Sequence, residues 1–358
     1  HIRAFNFASD EDVKFIRQTS LKINDILKDQ SGISAIVVAL VIVVILGMAA
    51  LAIDIGYRNV AQNELQNIVD AAALAGAGEL GRQYLDPSFV AVDESLVVAI
   101  AENVANSNES GFTIQVQIGT WRNRSEGFIG TLNNRPNAVK AIARRGSDGN
   151  PQVPTFFAMI WNILGLDAQA DAVAALTGAS EIAEGELEIP VGISEEWFTG
   201  NFCDQNIQFY PTSGTAGCAG WHVYDTWPAN ASKLRDDILG GLLTGSFTPP
   251  ALDINDNPSF AFTGGNLSTT LDNMSALFEQ NAVGDPPVWY TKVVVYDLPC
   301  GENPNQTIPI VGFASVEITG VVGPPPVLIA KVECNKVTQG GGGGSYYGTW
   351  GSIPGLVE

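Results

Sequence analysis

A chain of 358 residues is long enough for two or three domains and a sizeable core. Its 38 Asp and Glu against 18 Lys and Arg, a net charge of −20, repel phosphate backbones and exclude nucleic acid as a partner. The imbalance is not uniform: residues 1–32 hold five basic and five acidic residues, so the remaining 326 carry all of it.

In chain order, residues 1–32 form an arm, expected on the cytoplasmic side. Within it Val13, Ile16, Ile23 and Leu27 share one face at helical spacing, with lysines opposite. The first residue is His1, so residues upstream are expected. Ile33–Ile53 is an uncharged run of 21 residues; at 1.5 Å per residue it reaches roughly 30 Å, one bilayer core. The basic residues Lys22 and Lys28 precede it and only Arg58 follows closely, which places the N-terminus in the cytoplasm and the acidic bulk outside.

Residues 54–81 continue the same helix beyond the membrane. Tyr57, Val60, Ala61, Leu65, Ile68, Val69 and Ala72 make a stripe at steps of three and four, and Gly81 is the expected C-cap. Gly47, Ala50 and Asp54 lead into that stripe on one face. With Tyr57, Ala61, Leu65 and Asp70 they are the residues expected to meet another helix, because small side chains let backbones approach inside lipid. Asp54 has a second reading as the charge marking where lipid ends, and Asp70 as a solvated helix residue. The "GAGELG" at Gly76–Gly81 matches a dinucleotide fingerprint in letters only, because its glycines close a helix instead of opening one.

Residues 82–180 read as a small proximal α+β domain. It has a helix at 93–107, strands at 113–121, 137–145 and 169–176, and an apolar helix at 155–166, "TFFAMIWNILGL", too short to span a bilayer. Residues 181–358 read as a distal, mainly β domain. Its strands are expected at 288–297, 308–321 and 327–333 and a helix at 232–243, with Pro324–Pro326 and Gly340–Gly344 as linkers or tight loops. The four cysteines, Cys203, Cys218, Cys300 and Cys334, all lie there. Four cysteines allow three pairings, and sequence proximity favours Cys203–Cys218 and Cys300–Cys334. Free thiols or a metal site are the rivals, although the spacings are not those of zinc ligands.

No catalytic, cofactor or metal site is expected. The two histidines are His1 and His222. His222 near Asp225 lacks a nucleophile motif and reads as a packed residue beside Trp221. "DINDN" at 253–257 starts like a calcium loop but continues with Pro258, so it reads as a turn.

The stretch from Gly32 through the span, Asp54 with Gly56, and "DAAALAGA" at Asp70–Ala77 resembles the N-terminal signature of Tad-type (tight adherence, Flp pilus) assembly proteins of the TadE/TadG-like group. Weaker likeness extends to "IGTWRNR", "NAVKAIARR", "FFAMIWNILGL" and "AQADAVAAL", and to "GCAGWHVYDTW" in the distal part. The Asp-x-Ser-x-Ser metal motif of some members is missing, and Val37 stands where a pilin cut after Gly32 calls for Glu. The resemblance implies a non-enzymatic membrane-anchored assembly component without cofactors. Its expected partners are an inner-membrane pilus or secretion platform, or pilin-like helices including copies of itself. The rival is a pilin-like subunit that polymerises into an extracellular filament.

Overall fold

Twenty-one uncharged residues followed at once by a small-residue stripe give a helix no reason to stop, and it does not stop. Helix α1 runs unbroken from Ser31 to Tyr84, 54 residues and about 80 Å. The computed structural model describes residues 31–358 except 131–134, 148, 201, 210–216, 227–228, 264–270, 303 and 323–326. The arm expected at 1–32 falls almost wholly outside the described residues, as does Pro324–Pro326.

The two halves of α1 have different surroundings. Residues 34–49 and 51–53 are exposed, whereas Leu65, Val69, Ala72, Ala73, Ala77 and Leu80 are fully buried. The buried stripe lies on an antiparallel sheet beside a second helix, α2 (Glu94–Asn108), which Asp93 caps through the Leu96 N–H and which turns Val97, Ala101 and Ala105 inward. Small side chains set the approach: a Cβ at Gly76 would stand 3.0 Å from the Val139 side chain. Gly81 is not the C-cap, because the helix continues to Tyr84; its hydrogen atom faces the Ser352 carbonyl so closely that a Cβ would collide.

The first part contributes strands β1 (Ile114–Trp121), β2 (Phe128–Ile129), β3 (Ala138–Arg145), β4 (Val153–Pro154), β5 (Gly165–Leu166) and β6 (Ala168–Ala175). The rest contributes β7 (Glu181–Ile182), β8 (Val191–Ser194), β9 (Asn206–Phe209), β10 (Ala219–His222), β11 (Leu252–Asp253), β12 (Ser259–Thr263), β13 (Trp289–Tyr296), β14 (Thr307–Val322), β15 (Val327–Glu333), β16 (Lys336–Gly341), β17 (Thr349–Ile353) and β18 (Gly355–Leu356). The proximal sheet has the order β18-β6-β3-β1-β2. The C-terminal strand thus returns to the proximal sheet, pairing Gly355 with Ala175, and Trp350 joins the proximal core. A boundary that assigns 181–358 wholly to the distal part therefore needs correction: the last ten residues close the proximal layer.

The distal sheet runs β12-β10-β8-β13-β14-β15-β9. The 16-residue β14 pairs with β13 along its middle and with β12 at its start, which joins the five strands β12, β10, β8, β13 and β14 in a ring. A helical segment over 232–244, π-helical at Lys233–Leu239 and then α3 (Gly240–Thr244), packs beside α4 (Leu271–Asn281). The result is the α+β fold read from the sequence, a long apolar N-terminal helix followed by β-rich parts.

The glycine run 340–344 is no linker. Gly340 and Gly341 end β16 against Glu181, whose carboxylate accepts the Gly341 N–H at 2.8 Å, and Gly344 bridges Gly178.

The cysteines pair otherwise than sequence proximity implied: Cys203 with Cys334, and Cys218 with Cys300. Strand register is the reason. β9 lies antiparallel to β15, with Asn206 opposite Lys331, so the residue after β15 meets the segment before β9. Cys218 enters β10 beside β8, while Cys300 follows β13, the other neighbour of β8.

Candidate membrane-boundary site

Asp54 is the first charge after the apolar run, and it is almost wholly buried (4% exposed). Its carboxylate accepts three consecutive backbone N–H groups: Phe156 at 2.8 Å, Phe157 at 3.2 Å and Ala158 at 2.7 Å. Those donors begin the short 3₁₀ turn Ala158–Trp161, whose first N–H groups have no partner within the turn. Asp54 therefore does the work of an N-cap from another element, with a charge-assisted bond at each end of the triplet.

The segment 155–166 is thus not the helix expected from its apolar letters. β4 pairs with β5 to make a hairpin, Asn162 takes a left-handed conformation (φ 64°) to turn the chain, and the Thr155 N–H bonds the Leu164 carbonyl. Pro154 and Gly165 flank the turn and favour a hairpin over a helix. The tip side chains point outward: Ile160 is 74% exposed and Trp161 70%, and Phe156, Met159 and Leu164 are also exposed. Tyr57 meets Phe156 edge-on at 5.3 Å.

The hairpin's position along α1 follows from three contacts. Gln66 Nε2 donates to the Asp171 carbonyl, Arg58 Nε to the Asp167 carbonyl, and Asp54 receives 156–158. Eight helical residues and four strand residues both cover about 12–13 Å, so β6 and α1 keep step. The hairpin continues that progression toward the apolar run. One turn further on, Ala50 is buried, whereas Ala35, Ala39, Ala49 and Ala52 are exposed.

The face expected to meet another helix is therefore divided. Ala61 and Leu65 lie in the chain's own core, and Asp54 is used by the hairpin. Asp70 is bonded by Gln66 at 2.7 Å, and Tyr57 borders Phe156. Gly47 has open space around it, with nothing within 4 Å of a Cβ. The stripe belongs to this fold because the sheet that buries it lies later in the same chain. Asp54 was legible as a boundary charge or a helix-pairing residue, not as the acceptor for 156–158, since those partners lie more than a hundred residues away.

A second concavity, of about 1150 Å³, lies between the two β-rich parts, with Trp121, Arg122, Arg135, Tyr346 and Trp350 among its walls. Arg135 donates to the Asn335 carbonyl at 2.8 Å and lies over the Tyr84 and Phe89 rings. No carboxylate or histidine is among its described lining residues, so those residues offer no general acid–base pair. His222 is fully buried among Tyr224, Phe260 and Phe262. Among the described residues no group of three or more His, Cys, Asp or Glu is placed to hold a metal ion.

Residues 32–79 match the family described as Putative Flp pilus-assembly TadE/G-like, in agreement with the resemblance of that stretch. The match lies wholly within α1 and includes both the apolar run and Asp54. No curated protein matches the chain, and no solved structure does.

Proposed function

We propose that the chain is a non-enzymatic, single-pass membrane component of a Tad-like (Flp) pilus or surface-adhesion system. Residues 1–32 lie in the cytoplasm, Ile33–Ile53 crosses the membrane, and the acidic β-rich parts act in the periplasm or at the cell surface. The arm and the span engage an inner-membrane platform or pilin-like helices, with Gly47 offering the close-approach point.

One observation carries this reading. The family-matched segment is a helix whose first half is apolar and bare and whose second half is the spine of a folded domain. Among the described residues it is the one helix long and apolar enough to cross a membrane. A continuous helix transmits orientation, so the outer parts turn and tilt with the span as one body.

Deleting the gene in the producing bacterium tests it: surface pili should be lost and return with the wild-type gene. They should not return with a variant carrying Val43→Arg, which puts a charge at mid-bilayer. Unchanged piliation in the deletion strain overturns the reading. The filament alternative is separated by its location, since a polymerising subunit is recovered in sheared fibres.

A further inference from the structure

Loop tips that face water are ordinarily polar, and a contiguous apolar surface marks something that covers it. The hairpin 153–166 breaks that expectation in a strongly acidic protein. Gly149–Leu166 contains no charged residue at all, and Phe156, Met159, Ile160, Trp161, Ile163 and Leu164 are exposed.

Its position names the cover. The hairpin is fixed to the outer end of the apolar run by the three N–H bonds to Asp54 and extends from β6 in the direction of that run. The bare helix surface from Ile36 to Ile55 and the bare hairpin tip are therefore neighbouring parts of one apolar surface. Asp54 is sequestered between them, so no exposed charge separates the two. Arg58, the next charge, lies beyond the hairpin's base at Asp167.

We infer that this hairpin is a second membrane contact, seated in the headgroup–acyl boundary of the leaflet in which the span ends. The inference rests on the reading of Ile33–Ile53 as a membrane span. Trp161 and Phe156 suit that layer, where aromatic rings concentrate, and Ile160 and Leu164 bury aliphatic surface. Two contacts on one rigid body fix its tilt and its rotation about α1, which a lone helix leaves free.

The full chain in phosphatidylcholine–phosphatidylglycerol vesicles gives the test. The native cysteines are all in disulfides, so a single added cysteine carries an environment-sensitive dye. Ile160→Cys is the probe, Val90→Cys the exposed control and Val43→Cys the control within the span. At Ile160, doxyl groups high on the lipid chain should quench most of the emission and aqueous iodide little; at Val90 the pattern should reverse. Iodide quenching at Ile160 equal to that at Val90 overturns the inference. So does protection from both quenchers, which means a protein, a second copy or a partner, covers the tip. Val43 escaping the lipid quencher overturns the span itself, and lipid quenching at Val43 without Ile160 overturns the hairpin contact alone.

Discussion

Asp54 and Ala158 are 104 residues apart in the chain, yet the carboxylate of one accepts the backbone N–H of the other at 2.7 Å. This bond and its two neighbours connect the end of the apolar run to the hairpin, and they lock the folded part to α1 where a bilayer would end.

Removing that acceptor leaves three N–H groups without their charged partner. Asp54→Ala should raise amide exchange at Phe156–Ala158 by roughly tenfold or more, since bonds to charged groups contribute about 1.5–3 kcal/mol. Asp54→Asn keeps an acceptor and should fall between. Unchanged exchange in both variants would mean that the hairpin is held by its apolar contacts alone.

The amount of this arrangement legible in the sequence depended on how local the deciding interaction is. Helix α1 was readable because span length and the Tyr57–Ala72 stripe act within a few turns, and β1 because its alternation is local. The hairpin was not. A twelve-residue, mostly apolar segment satisfies a helix as well as a loop tip, and the decision rests with Asp54 far upstream. The disulfide pairing depended on the β9–β15 and β8–β10–β13 registers, and the return of the two-residue β18 to β6 leaves almost no pattern.

Two glycines of α1 should respond with opposite signs. Gly56 has nothing within 4 Å of a Cβ, so Gly56→Ala should stabilise the helix by up to about 1 kcal/mol. Gly81→Ala drives a methyl into the Ser352 backbone and should destabilise by about 1–3 kcal/mol, freeing the C-terminal strand. Denaturant unfolding in detergent measures both, and equal shifts for the pair would contradict this packing.

Mass spectrometry of a non-reduced digest should show Cys203 linked to Cys334 and Cys218 to Cys300. The sequence separations are 131 and 82, so each bond closes a long loop. Replacing either pair with serine should cost about 2–5 kcal/mol of stability. Peptides joining Cys203 to Cys218 would contradict the strand order of the distal sheet.

His222 gives the fold an acid sensitivity. Burial pushes its imidazole down from 6.5 to about 3, only partly offset by the Val191 backbone. Between those values the unfolded chain takes up a proton that the folded one refuses, so stability is full above pH 6.5 and falls as pH falls. Between pH 7 and pH 5 the loss should be about 2 kcal/mol at 1.4 kcal/mol per unit. His222→Phe, shaped for its stack on Phe260 at 4.8 Å, should flatten that slope. Urea unfolding at the two pH values decides it.

The central claim is that α1 anchors this chain in a membrane as part of a pilus-assembly apparatus. Fractionating piliated cells tests it most directly, by shearing off surface fibres, washing the membranes with carbonate and probing both fractions for the chain. The account predicts that it remains with the washed membranes and is missing from the fibres. Recovery along the length of sheared fibres would contradict it and make the chain a filament subunit.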